Sequence, residues 1–187
     1  KRKISFEILV DASGTNSFLA NKLKIYSYKQ IFNSFEICGN FEKNFEDVNI
    51  FFDRRFSKYK FGWFINLNKK SLVGLIDKNL KFQTFENFLK YFKLKNVIYK
   101  YSHPILQIKL KKFSSKNFLI IGEAAGLIKP FSLGGITYGI ISSHLAKKAI
   151  LSNNLKLYEK SVKDIYKKSF LIWSLIDKLI KHKFFGS

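Results

Sequence analysis

Five of the ten glycines of this chain fall between positions 122 and 139. A cluster like that marks where the backbone must turn sharply or come close to something. Just before it, Asn117 to Ile121 is a short apolar run that reads as a buried strand. The run ends in Gly122-Glu123-Ala124-Ala125-Gly126, and after Pro130 and the pair Gly134-Gly135 a helix is expected to about Ile150. Small residues at a strand end let a bulky ligand press against the backbone. A carboxylate at Glu123 can accept hydrogen bonds from ligand hydroxyls. The helix that opens after Gly135 points unpaired N–H groups outward, and its dipole favours negative charge there.

The remaining elements follow from periodicity. Ile4 to Val10 reads as a strand and stops at the turn signal Asp11-Ala12-Ser13-Gly14-Thr15-Asn16-Ser17. Residues 25–37 and 48–53 read as strands rich in Tyr, Phe and Ile. Phe61–Leu67 and Leu72–Asp77 form a pair, with 66–70 as the hairpin loop. Thr84 is placed to cap a short helix with Glu86 in its first turn, and Phe85, Phe88, Leu89 and Phe92 make its apolar stripe. Val97–Leu110 is strand again, with an interruption expected at Pro104. Asn153-Asn154 breaks the helix that ends near Ile150. A long amphipathic helix then runs from Leu155 to about Lys183, with Tyr158, Val162, Ile165, Ile172, Ile176, Leu179 and Ile180 on or near one face. The fold class expected is mixed α/β.

Composition narrows the function classes. Nearly half the residues are apolar, which supports a folded core. Lys+Arg minus Asp+Glu is 34 − 13 = +21, which favours anionic partners. Arg2, Arg54 and Arg55 are the only arginines, and lysine lacks the planar fork that reads base edges, so no nucleic-acid partner is expected. The single Cys38 forms no internal disulfide and reads as an inert strand residue. No Cys/His group has metal-ligand spacing, so no metal is expected. His103, His144 and His182 are isolated from one another. The run from Phe131 to Ala146 is too short to span a bilayer. The chain contains no Met and starts Lys1-Arg2-Lys3, so a segment upstream is expected.

The glycine-rich stretch resembles the second FAD motif of the geranylgeranyl reductase family, among the para-hydroxybenzoate-hydroxylase-like flavoproteins. That motif is roughly G-D-A-A-G, then P, then a G-x-G-I helix start. Here it is matched by Gly122-Glu123-Ala124-Ala125-Gly126, Pro130 and Gly134-Gly135-Ile136. Asp11-Ala12-Ser13-Gly14 with Ser17 resembles the family's earlier turn. Phe61-Gly62-Trp63-Phe64-Ile65 followed by Val73-Gly74-Leu75 resembles its aromatic strand pair. The chain departs from the pattern at several positions. Glu123 replaces the commoner Asp, Leu133 fills a usual Gly position, and Ser13 stands where hydroxylase relatives have Asp. Lys58 and Asn66 replace prolines, and Phe61 lacks a tyrosine hydroxyl. The family's diphosphate-binding G-x-G-x-x-G turn is absent from the sequence.

The resemblance implies a division into residues 1–24 and 113–150 as parts of a Rossmann-like FAD domain, 25–112 as an antiparallel substrate-binding sheet, and 151–187 as a C-terminal helix. It implies FAD as cofactor, contacted by Ser13, Gly14, Gly122, Glu123, Ala124, Ala125, Gly126, Pro130, Gly134, Gly135 and Ile136. A reduced flavin is negative along one edge, which the helix start after Gly135 would stabilise. Phe61, Trp63 and Ile65 would line the substrate, although Trp63 as a plain core residue fits the sequence equally well. The implied activity is reduction of isoprenoid double bonds in membrane-lipid precursors. The partners expected are an N-terminal FAD-binding half, a prenylated lipid and an anionic membrane surface. The expected location is cytoplasmic, peripheral on the inner face of the membrane. The sequence identifies no catalytic residue, proton donor or electron donor. Two rival readings are a monooxygenase or halogenase of the same superfamily, and a non-enzymatic basic binding protein.

Overall fold

Apolar alternation and turn chemistry set most of the elements in the computed structural model, which describes residues 3–43, 45–180 and 182. In chain order they are β1 (Leu9–Asp11), α1 (Phe18–Leu23), β2 (Tyr26–Phe41), β3 (Val48–Phe51), β4 (Phe61–Asn66) and β5 (Ser71–Lys78). There follow α2 (Phe82–Lys90), β6 (Leu94–Leu110), β7 (Phe118–Ile120), α3 (Ile136–Leu151) and α4 (Leu155–Ile180). The fold is mixed α/β, with a five-stranded antiparallel sheet in the order β3-β4-β5-β2-β6 and a two-stranded parallel pair of β1 and β7.

The chain divides into two units, residues 31–105 with 178–187 and residues 1–30 with 106–177. The division falls inside β2 and β6, whereas the sequence suggested boundaries at the turns near 24 and 112. Residues 31–105 hold the hairpin β4–β5, in register from Phe61 opposite Ile76 to Asn66 opposite Ser71. One face of their sheet is closed by α2, whose Phe85, Phe88 and Leu89, followed by Phe92, pack on Ile37, Phe64, Val73 and Leu75. Phe64 and Phe92 stack with centroids 5.5 Å apart, and Phe88 meets Phe92 edge-on at 5.0 Å. The other unit packs β1, β7, the ends of β2 and β6, α3 and the first turns of α4. Its core includes Leu106, Ile108, Leu119, Ile120, Ala124, Ala146, Tyr158 and Val162.

Several local expectations change. The first strand is confined to Leu9–Asp11, and Ile4 and Phe6 are exposed. Helix α2 starts before Thr84; Lys81 is its N-cap and makes no side-chain cap bond. Pro104 does not interrupt β6, because β6 is the last strand of the sheet and an edge strand tolerates a missing N–H. Asn153, with φ 50°, ends α3 as the sequence suggested. Helix α4 continues to Ile180; Lys183, and the side chains of Trp173 and Ile180, lie outside the described residues. No helix among the described residues is long and apolar enough to cross a membrane, and none of their His, Cys, Asp and Glu side chains cluster as a metal site.

Candidate flavin site

Two turns meet at the end of the parallel strand pair. Strand β1 ends in Asp11, which is buried; its Oδ1 accepts from the Ser13 N–H at 3.0 Å and its Oδ2 from the Leu19 N–H at 2.7 Å. Ser13 Oγ accepts from the Phe18 N–H at 2.9 Å, so this side chain serves the turn that enters α1. Gly14 sits at φ 58° with open space where a side chain would be. Strand β7 ends in a short 3-10 turn at Gly122–Ala125, closed by Gly126 at φ 72°.

Hydrogen bonds tie the two turns together. The Thr15 hydroxyl donates to Glu123 Oε1 at 2.8 Å, and the Ser17 hydroxyl donates to the Ala124 carbonyl at 2.7 Å. The Leu106 N–H also donates to Glu123 Oε1, at 2.7 Å. One oxygen of the Glu123 carboxylate therefore holds the scaffold. Its second oxygen takes no protein bond among the described residues.

The small residues of this stretch divide into two groups. Ala124 and Ala125 are buried in the core, and a side chain at Gly126 would collide with the Ile108 carbonyl. These three are small because of packing. Pro130 is buried as well. A methyl group added at Gly122, where φ is 58°, would find its nearest atom in the Gly139 Cα at 3.7 Å, and one added at Gly139 would find nothing within 4 Å. At Gly134 a methyl would meet its nearest neighbours only at ordinary contact distance. At Gly135 it would press on Ile128 at 3.1 Å. Ile136 and Ile140 stand on one face of the first turns of α3, 83% and 66% exposed. The result is a wall of bare backbone at Gly14, Gly122 and Gly139, beside an apolar, uncovered helix start whose first N–H groups have no intrahelical acceptor.

Two supports behind this wall have no signal in the glycine motif. Ser142 on α3 accepts from the Gly122 N–H at 3.0 Å and donates to the Gly139 carbonyl at 3.0 Å. Tyr158 on α4 donates its hydroxyl to the Ile120 carbonyl at 2.6 Å, and burial pushes its acidity well below that of an ordinary tyrosine. Thr15 likewise lies outside the residues singled out from the sequence. The hydroxyl-rich turn Gly14-Thr15-Asn16-Ser17 was its available signal.

The sheet of residues 31–105 carries a different surface. Phe61, Trp63 and Ile65 alternate along β4 on the face opposite α2, each half-buried, while Phe64 between them points into the α2 core. Trp63 is held in place: its Nε1–H donates to Glu36 Oε2 at 3.0 Å, and its ring lies where a side chain on Gly74 would otherwise be. Cys38 is buried two residues along β2 from Glu36.

These features can be set beside known proteins. A digeranylgeranylglycerophospholipid reductase of Methanococcus aeolicus is 29% identical over 220 aligned residues, covering 97% of this chain and 52% of the relative. An uncharacterized protein of Methanocaldococcus jannaschii is 32% identical over 178 residues, covering 86% of this chain and 46% of the relative. A geranylgeranyl bacteriochlorophyll reductase-like structure from Thermoplasma acidophilum superposes with a TM-score of 0.75 over 92% of this chain and 50% of that one, at 17% identity. The chain belongs to the geranylgeranyl reductase-like family of FAD-dependent oxidoreductases. This geranylgeranyl reductase-like chain spans about half the length of the curated relatives it matches. It shares its fold more widely, with a TM-score of 0.66 to a tryptophan halogenase from Shewanella frigidimarina at 16% identity, over 95% of this chain and 36% of that one. No protein-family model matches the chain.

Proposed function

We propose that this chain is the flavin-facing part of an oxidoreductase that reduces isolated double bonds in isoprenoid chains of membrane-lipid precursors. The carrying observation is the uncovered wall of Gly14, Gly122 and Gly139 beside exposed Ile136 and Ile140, a cradle that added side chains would fill. FAD, when bound, supplies the hydride for the reduction. The chain's own residues bind and orient. Gly122 and Gly139 admit a flat ring against the backbone. The N–H groups that open α3 offer hydrogen bonds and a positive dipole end to an anionic ring edge. The second oxygen of Glu123 accepts from a ligand hydroxyl. The stretch from Gly122 to Ile136 also holds Ala124, Ala125, Gly126, Pro130, Gly134 and Gly135, which shape the turn and the helix entry. Within residues 31–105, Phe61, Trp63 and Ile65 present an apolar sheet face suited to a prenyl chain, and Glu36 fixes the indole.

The absent diphosphate-binding turn supports a second, glycine-rich half that completes the cofactor site. The test is to incubate the assembled protein, chemically reduced, with a geranylgeranylated glycerophospholipid and to weigh the product. The expected product gains two hydrogens for each double bond reduced. A product carrying oxygen or halogen instead would assign the chain to the monooxygenase or halogenase branch of the superfamily.

A further inference from the structure

Helix α4 has three unlike sides. With about 3.6 residues per turn, Leu155, Tyr158 and Val162 share the side buried in the core. Lys156, Lys160, Lys163 and Lys167 follow one another along a second side. Beyond Lys167 the third side is apolar: Leu171, Ile172 and Leu175 are 59%, 59% and 61% exposed. These are large aliphatic side chains in consecutive turns, bordered by Lys167 and Lys168. Nothing among the described residues covers them. The lysine side opens onto a broad groove that Lys111, Lys112 and Lys116 also line.

We propose that this part of α4 is a docking surface for an anionic lipid bilayer, on which the helix lies in the plane of the headgroups. Charge selects the occupant. A second copy of a +21 chain is repelled, whereas an anionic surface is attracted. A nucleic acid would satisfy the lysines but has no apolar layer for Leu171, Ile172 and Leu175. A bilayer interface supplies both, phosphates for the lysines and the acyl boundary for the aliphatic side chains. The acidic groups on the exposed part of this helix are few: Glu159 pairs with Lys163 at 2.6 Å and also accepts from the Phe113 and Ser114 N–H groups. Asp164 is exposed between the lysines and reduces their field locally. The surface is independent of the flavin site, so binding needs neither cofactor nor prenyl substrate.

Cosedimentation with vesicles, without flavin or substrate, tests this. The protein is expected to sediment with phosphatidylglycerol-containing vesicles at low salt, to be released at high salt, and to bind pure phosphatidylcholine vesicles weakly. Leu171→Ser with Leu175→Ser should weaken binding by about tenfold or more. Lys160→Glu with Lys167→Glu should weaken it by about 25-fold or more, at about fivefold for each lysine lost. All four positions are exposed, so the thermal midpoint of each variant should match the parent and exclude misfolding as the cause. Absence of binding to anionic vesicles at low salt overturns the proposal. So does binding that survives both serine substitutions and is displaced by heparin, which would make the surface a general polyanion patch.

Discussion

Glu123 has a structural duty beside the ligand contact proposed for it from the motif. Its Oε1 holds Thr15 and the Leu106 N–H, residues 108 and 17 positions away. The motif made the carboxylate legible, but these partners carry no local signal, because long-range contacts are set by the fold and not by spacing. Glu123→Ala should leave the Leu106 amide unpaired and cost about 2 kcal/mol of stability. Urea unfolding would show this as a lower midpoint with an unchanged slope. Gly126 behaves differently from the glycines of the wall. At φ 72°, and facing the Ile108 carbonyl, it has no room for a methyl group, so Gly126→Ala should destabilise by about 2 kcal/mol or more. Leu133 fills the usual glycine position and does adopt the left-handed conformation, at φ 58°, with its side chain buried. Holding a leucine in that conformation costs about 1 kcal/mol or more.

Elements were legible where a strict period met a clear turn. The hairpin β4–β5 and the α2 stripe could be read because alternation and the i, i+3, i+4, i+7 pattern leave little choice of face. Strand β1 was not, since its apolar run continues upstream past the residues that pair with β7. Pro104 misled because only topology reveals that β6 is an edge strand. Helix α3 carries Gly139 with open space around it, so Gly139→Ala should raise stability by about 0.5–1 kcal/mol through helix propensity alone. Helix α4 is pinned to β7 by the Tyr158 hydroxyl, which burial keeps protonated well above the usual tyrosine range. Folding therefore favours the neutral phenol. Its contribution is fully present below pH about 10, the unfolded value, and is lost as pH rises beyond it. Tyr158→Phe should lower stability by about 1 kcal/mol at neutral pH and make the alkaline loss of stability shallower. Urea midpoints measured across the alkaline range would record both effects.

For the whole molecule, the net charge of +21 and the family motifs were plain in the sequence, whereas the line between the two units was not, because it runs through β2 and β6. In the proposed function, the glycine wall, the exposed Ile136 and Ile140, and the missing diphosphate turn would make this chain one side of a cofactor site. By itself the chain should bind FAD weakly, and adding a half that bears G-x-G-x-x-G should tighten binding sharply. Within that assembly Gly139 offers the most direct test, because nothing in this chain opposes a side chain there. FAD titration of the assembled protein, followed by flavin fluorescence quenching, should show at least about a tenfold loss of affinity in Gly139→Val, with the thermal midpoint retained. Unchanged FAD affinity in that variant would contradict the account, because the wall would then face something other than the flavin.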